Sequence, residues 1–403
     1  MKTRKVLSDF MPEFEEAQQI MLDHIPASRV KLIPLSSACG LTLAESILVK
    51  IDSPPFHQSA MDGFAFNFSK WDKISPLIIS NEIPAGKFLK ESVRSNGAVR
   101  IFTGAAVPAG ADTVVVQEKV VEKNGQIVIS DPFLLKGANI RKQGSHVKKG
   151  KTVWRKGQRL TVGAIGFLAS LGVSTVKVYA LPIVSIIVTG DELTIPGKAL
   201  KRGHVFECNS YGLTAALSKV QITPRLIIRC ADDPNQLEKD IKKALKVSDI
   251  LILTGGVSVG DYDFVADTLK KCGVIKKFHN VRQKPGKPLY FGLKGNKLVF
   301  GLPGNPASVL SCYYSFVVKA ISSFSKLDVH TVVTLPAMNS FLKKGTLTTL
   351  LKARTSARGV EILHDQESYK LNSFAEADGL VVLPPEKQEV LPGDLLKVLL
   401  MDN

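Results

Sequence analysis

The spacing of apolar positions changes along the chain, and each change marks a different kind of element. Near the N-terminus Phe14, Ala17, Met21 and Ile25 recur at helical spacing behind Pro12 at an N1-like position, which predicts a first amphipathic helix. From Ile51 to Gly137 the pattern is mostly short strands and turns. Its clearest element is a hairpin, Thr113–Val121 and Gln126–Ser130, turned by Asn124-Gly125. The stretch Ile140 to Tyr179 is basic and glycine-rich, with a helix predicted from about Val162 to Leu171 behind Thr161 as N-cap.

From Pro182 the rhythm becomes one of uninterrupted apolar runs. Ile183–Val188, Leu226–Ile228, Ile250–Leu253 and a strand near Val299 alternate with helical segments. One such segment, Pro234 to Lys246, is capped by Asp233 and aligns Leu237, Ile241 and Leu245 on one face. Strands apolar on both sides, alternating with helices, predict a parallel sheet covered on both faces, an α/β/α domain. The segment Pro306 to Phe324 is interrupted by Ser308, Ser311, Ser315 and Lys319, which reads as a buried amphipathic helix and not a membrane span. After Phe324, Thr331–Leu335, Gly359–Leu363, Leu380–Leu383 and Leu395–Leu399 stand between Gly and Pro turns and predict a small β-barrel or sandwich. The fold class is thus multidomain α/β plus β.

Composition changes this picture little. At 403 residues, 45% hydrophobic and 22% charged, the chain has the makeup of a soluble protein of several domains. The first ten residues carry no apolar core of signal-peptide length. Cys39, Cys208, Cys230, Cys272 and Cys312 are scattered without a C-x-x-C pair, which gives no zinc or disulfide framework and fits a reducing cytoplasm. The formal charge is +17, yet the lysines are dispersed and not interleaved with aromatic residues. Most of that charge therefore reads as solvated surface and not as a nucleic-acid footprint. A few cations are reserved for an anionic ligand.

In a sheet of this type ligands bind beyond the carboxyl ends of the strands. Three strand ends are unusual. Ile250–Leu253 runs into Thr254-Gly255-Gly256-Val257-Ser258-Val259-Gly260-Asp261-Tyr262-Asp263. Gly255, Gly256 and Gly260 let the backbone approach an anion, and Asp261 and Asp263 could hold Mg²⁺ against phosphates. The strand near Val299 runs into Gly301–Pro306, where Asn305 as N-cap and Pro306 at N1 either cap a helix or leave its N–H groups open to an anion. Just upstream, Lys284-Pro285-Gly286-Lys287-Pro288 offers two cations on a stiff turn. The Ile183–Val188 strand runs into Thr189-Gly190-Asp191-Glu192, a carboxylate pair that could bind metal, transfer protons or cap the next element. Physics alone assigns no role to Ser59–Ala65, an Asp-Gly turn, or to Arg100–Ala105.

Taken in order, Ser59–Ala65, Phe102–Ala105, Thr189–Leu193, Gly255–Gly260, Lys284–Pro288 and Gly301–Pro306 make the chain resemble the molybdopterin molybdenumtransferases. This is the family of bacterial molybdenum insertases and the gephyrin E-domain, and the resemblance runs over roughly the whole chain. It implies a homodimer of four-part protomers. Residues 1–50 and 140–180 would form a discontinuous N-terminal domain, and 51–139 an inserted mostly β domain. Residues 181–326 would be the molybdopterin-binding domain, and 327–403 the β-barrel.

The resemblance also implies the reaction, in which adenylyl-molybdopterin and molybdate give molybdenum cofactor and AMP with a divalent cation, usually Mg²⁺. Carried over by motif, Asp62, Thr103, Glu192, Asp232, Asp263 and Lys284 would surround the active site. Asp62 and Thr103 would come from the inserted domain of the other subunit. Gly255, Gly256, Ser258, Gly260, Lys287 and Asn305 would bind substrate, with Arg358 and Ser368 as candidates in the last domain. Further contacts would be with other cofactor-synthesis proteins and molybdoenzymes. The chain departs from the family pattern at His57, Gln58, Cys208 and Asn280, with Arg282 able to stand in for a missing cation. Two other classes compete: a related molybdopterin adenylyltransferase, which would need neither Ser59–Ala65 nor the C-terminal β domain, and a scaffold or receptor-binding module that keeps every motif.

Overall fold

Val184–Thr189 and Ile250–Thr254 are apolar on both faces because both faces are covered. In the computed structural model, which describes residues 10–256 and 264–401, they lie at the centre of a six-stranded sheet. The order is Leu226–Cys230, Val184–Thr189, Ile250–Thr254, Lys297–Leu302, Tyr290–Lys294, Ile275–His279. Successive side chains feed two separate cores. Ile186, Val188, Ile250 and Ile252 join Leu213 and Leu217 of helix Asn209–Lys219 and Val309 of helix Pro306–Cys312. Ile187, Leu251 and Leu253 join Leu237 and Ile241 of helix Pro234–Val247, with Val265 and Leu269 of helix Phe264–Lys271.

The four strands expected to lie parallel do so, and the sheet has two more at one edge. Tyr290–Lys294 and Ile275–His279 run antiparallel to their neighbours. The cause is local: Lys294 pairs with Lys297 across Gly295-Asn296, so the loop is two residues long and no crossover is possible.

The helix Pro306–Ser325 is long and apolar enough to span a membrane, but 72% of its apolar window is buried inside the protein. The first helix, Phe14–Leu22, opens with a reciprocal Glu13–Glu16 capping box. Pro12 precedes that cap and Ile25 lies beyond the last turn. Its expected place in one domain with residues 140–180 is not where it packs. Phe14, Ala17 and Met21 are buried in the α/β core, with the Phe14 ring edge-on to Phe316 at 5.5 Å.

The C-terminal strands form a second sheet in the order Gln283–Lys284, Thr348–Ser356, Gly379–Leu383, Leu395–Leu400, Val332–Pro336, with Gly359–Ile362 pairing on Thr348–Ser356. A bridge between Ala337 and Val360 joins the two ends of this run and closes it into a small barrel.

These elements belong to one compact unit, Met1–Lys31 with Tyr179–Asn403; the other is Leu32–Val178. The second unit holds a six-stranded sheet in the order Thr113–Val116, Gly63–Phe66, Gly97–Ile101, Leu77–Ile83, Gln126–Ile129, Val120–Lys123. The expected hairpin forms from the last two strands, with Asn124 (φ 50°) and Gly125 (φ 75°) supplying the turn. The 3₁₀ turn Gln117–Lys119 breaks the arm predicted to start at Thr113. A separate core of Leu35, Leu43, Leu160, Leu168 and Val178 surrounds helix Val162–Ser170, where Thr161 Oγ1 accepts the Ala164 N–H at 3.2 Å.

Candidate functional site

Thr189, Cys230, Thr254 and Leu302 end the four parallel strands at the same edge of the sheet. Beyond them opens a cleft of about 650 Å³, lined by Gly190, Glu192, Asp232, Gly255, Gly256 and Asn305 among others. Two glycines are needed for this shape. Gly255 has φ +88° and a Cβ there would sit 2.5 Å from the Thr189 carbonyl oxygen. At Gly190 (φ +148°) a Cβ would lie 2.7 Å from Glu192 Oε2, because the Glu192 side chain folds back over that residue.

Acidic groups gather on this floor. The Asp232 N–H donates to Asp191 Oδ1 at 3.1 Å, and the Asp191 N–H returns to Asp232 Oδ2 at 3.4 Å. Burial pushes the Asp232 pKa up; the Asp191 N–H opposes this, while the charges of Asp191 and Glu192 add to it. Behind them Glu207, which sequence reasoning missed, is buried and accepts from Ser210 N (2.7 Å), Ser210 Oγ (2.5 Å) and Arg229 Nε (3.2 Å). That anchor fixes the start of helix Asn209–Lys219, whose Asn209 Nδ2 donates to the Gly304 carbonyl at 2.9 Å.

A larger cleft, about 890 Å³, lies on the other side of a shared wall formed by Pro288, Pro303, Asn305 and Tyr369. Lys284 and Lys287 stand exposed along it. Their turn is shaped from below: buried Gln283 donates Nε2 to the Gly286 carbonyl at 2.8 Å, and a Cβ on Gly286 (φ +85°) would run into Cys312 Sγ. Lys284 also pairs in register with Thr349, so the turn is stitched to the barrel. Asn305 does not act as the side-chain cap that its position predicts. Its Nδ2 donates instead to Ser368 Oγ at 3.0 Å, and the Ala307 N–H, expected to face an anion, donates to the Ser368 carbonyl at 3.1 Å. A loop of the barrel thus occupies part of the helix start.

In the unit Leu32–Val178, Asp62 and Thr103 meet. The Ser59 and Gly104-Ala105 backbones cross-link their two segments, Ser59 N to Ala105 O at 2.9 Å and Gly104 N to Ser59 O at 2.8 Å. Asp62 Oδ1 then accepts from both the Thr103 N–H and Oγ1, each at 2.7 Å, which holds its pKa below 3.8.

Comparison with known proteins divides the chain at similar places, except that the first helix falls within the N-terminal region. Residues 12–172 match the model of the MoeA N-terminal region (domain I and II), 185–323 that of a probable molybdopterin binding domain, and 334–401 that of the MoeA C-terminal region (domain IV). A molybdopterin molybdenumtransferase of Haemophilus influenzae is 32% identical over 401 residues, covering 96% of this chain and 98% of the relative. One from Nostoc is 34% identical over 330 residues, covering 79% of this chain and 75% of the relative.

The chain belongs to the molybdopterin molybdenumtransferase family.

Two crystal structures of the molybdopterin biosynthesis moeA protein from Pyrococcus horikoshii superpose on this transferase with TM-scores of 0.83 and 0.77, at 27% and 28% identity. They cover 98% and 97% of this chain, and 100% of each solved chain. The transferase is accordingly an enzyme of molybdenum cofactor biosynthesis.

Of the residues expected at its site, Glu192, Asp232, Gly255, Gly256 and Asn305 line the smaller cleft, and Lys284, Lys287, Asn305 and Ser368 the larger. Ser258, Gly260, Asp261 and Asp263 lie outside the described residues. Arg358 sits in the turn after Thr348–Ser356, apart from both clefts. Arg282 does not supply a spare cation, because its Nε pairs with Glu13 at 2.6 Å. His57 ties its segment to a distant one, accepting the Gln143 N–H on Nδ1 at 3.0 Å, while Cys208 lines the smaller cleft. Asn280 adopts φ +79° and bonds Leu289 through its backbone. Among the described residues no three His, Cys, Asp or Glu side chains form a ready metal site.

Proposed function

We propose that this transferase inserts molybdenum from molybdate into adenylyl-molybdopterin, forming molybdenum cofactor and AMP as a cytoplasmic homodimer of four-part protomers. The observation that carries this reading is the pair of clefts sharing one wall. One has glycine strand ends and carboxylates, and the other has Lys284 and Lys287. A nucleotide-linked pterin and a separate oxyanion need two adjoining subsites of this kind, and the lysines attract both as point charges.

The Gly255–Gly260 segment and Asn305 hold the nucleotide and phosphates. Lys284 and Lys287 hold anionic oxygens in the neighbouring cleft. Glu192 orients a water and its proton for attack on the phosphoanhydride, whose P–O bond breaks as AMP leaves, while the two dithiolene sulfurs displace molybdate oxygens as water; Asp62 and Thr103 are assigned a catalytic part by the family resemblance. Mg²⁺ belongs to this proposal. Carboxylate oxygen suits a hard cation, and a cation would stabilise the charged form of Asp232, which burial disfavours and the charges of Asp191 and Glu192 disfavour further. Asp261 and Asp263 would hold it, and bound there it would neutralise phosphate charge.

Glu192→Gln tests the assignment. Its loss should cut single-turnover AMP release by about a hundredfold, as for a lost acid–base group, with the dissociation constant of adenylyl-molybdopterin nearly unchanged. Normal turnover by well-folded Glu192→Gln protein would return this residue to a structural role.

A further inference from the structure

Two lysines of the barrel are almost wholly buried, Lys352 at 2% exposure and Lys343 at 5%. Neither faces a carboxylate partner closely enough to form an ion pair among the described residues. Each spends its ammonium on backbone carbonyls instead. Lys352 Nζ donates to the carbonyls of Asp365 (2.5 Å), Glu367 (3.3 Å) and Lys370 (3.2 Å). Lys343 Nζ donates to those of Leu347 (3.3 Å), Pro384 (2.6 Å) and Pro385 (2.8 Å). An ammonium has three donors and no acceptor, so both groups are fully used within their own loops. Burial lowers both ammonium pKa values, a cost offset only if the charge is useful where it stands.

Both loops are walls of the larger cleft. Asp365 to Tyr369 forms one side, and Lys343, Lys344 and Leu347 form another. The Lys352 loop is gripped further: Gln366 Oε1 accepts the Lys352 N–H at 2.9 Å, and its Nε2 donates to the Lys352 carbonyl at 2.9 Å. Ser373 Oγ donates to the Asp365 carbonyl at 2.8 Å, and Ser368 is tied to Asn305 on the shared wall. Movement of this loop would therefore shift Ser368 and Tyr369 at the place where the two clefts meet.

We propose that Lys352 and Lys343 are positioning residues, each threading a loop around its ammonium so that the walls of the oxyanion cleft keep one shape. Their ammonium donors are spent on carbonyls, so each acts through the loop it holds, although the Lys343 side chain also lines the cleft. The proposal rests on the reading of that cleft as the molybdate subsite. Its physical basis is that three carbonyls converging on one point repel each other, and only a buried cation holds them together.

Lys352→Met keeps the volume and removes the donors. Titration with molybdate alone, followed by calorimetry, should show a dissociation constant raised about tenfold or more, the worth of a charged hydrogen-bond set. The affinity for AMP should fall less than that for molybdate, since the smaller cleft shares only Asn305 and Tyr369 with the wall this loop supports. Amides of residues 363–372 should exchange faster in the same protein. Lys352→Arg keeps the charge but not the three-way geometry and should restore little. Ser373→Ala loosens the same loop mildly and should show a smaller shift in the same direction, which keeps the proposal testable if Lys352→Met fails to fold. Folded Lys352→Met or Ser373→Ala with wild-type molybdate affinity and unchanged exchange would overturn it, as would full rescue by Lys352→Arg. If wild-type protein binds no molybdate, the reading of the cleft fails. Loop exchange in Lys352→Met then still decides the clamp, unchanged protection overturning it.

Discussion

Asp62 shows how little of a residue's chemistry is visible in its neighbours along the chain. Its segment, Ser59–Ala65, reads as an ordinary Asp-Gly turn. Only the resemblance pointed to Asp62, and only the fold shows why it is unusual: Thr103 donates twice to one oxygen. Those two donors hold its carboxyl below the ordinary aspartate range. Because its folded pKa is depressed, its contribution to the stability of Leu32–Val178 is present above 3.8 and is lost as pH falls through the folded value. A carbon-detected NMR titration should place Asp62 below 3.8, and Thr103→Val should move it back up. An Asp62 titration unaltered by Thr103→Val would remove the pair. Asn305 carries the opposite lesson. Its place before Pro306 is that of a cap, and the sequence has no sign that Ser368, 63 positions on, takes its side chain.

Among the elements, those with a clean period were legible and those with buried polar groups were not. Helix Pro234–Val247, with Asp233 accepting the Asn235 N–H at 2.9 Å, matches its pattern to within a residue. The strands at the sheet centre do so as well, because burial on two faces leaves nothing but apolar residues. Thr348–Ser356, the longest strand of the barrel, was missed. It is buried on both faces as far as Ala353 and carries Thr348, Thr349 and Lys352 there, and a lysine in a strand core breaks the expected pattern. Gly63 is a sharper case. It lies in a buried strand, where a Cβ would run into the Val115 carbonyl across the sheet. Gly63→Ala should destabilise Leu32–Val178 by about 1–3 kcal/mol, the usual cost of overpacking, seen as an earlier melting transition. An unchanged transition would mean that the two strands separate without cost.

At the scale of the whole molecule, order and class of the parts were readable, but not their packing. The shift from mixed turns to apolar runs near Pro182 falls beside the boundary of the second unit at Val178. The first helix joins the α/β core from over 160 residues away because its Phe14–Ala17–Met21 face complements Phe316, a choice among apolar surfaces that no local pattern encodes. The net charge of +17 likewise says little until Lys284 and Lys287 are found on one cleft. Molybdenum insertion by this transferase is tested most directly by a single-turnover assay with adenylyl-molybdopterin and Mg²⁺, following AMP while molybdate is titrated. AMP release should rise with molybdate, saturate, and be nearly absent without it. Release at full rate without molybdate, or none at any molybdate concentration from folded protein that binds the nucleotide, would contradict insertion.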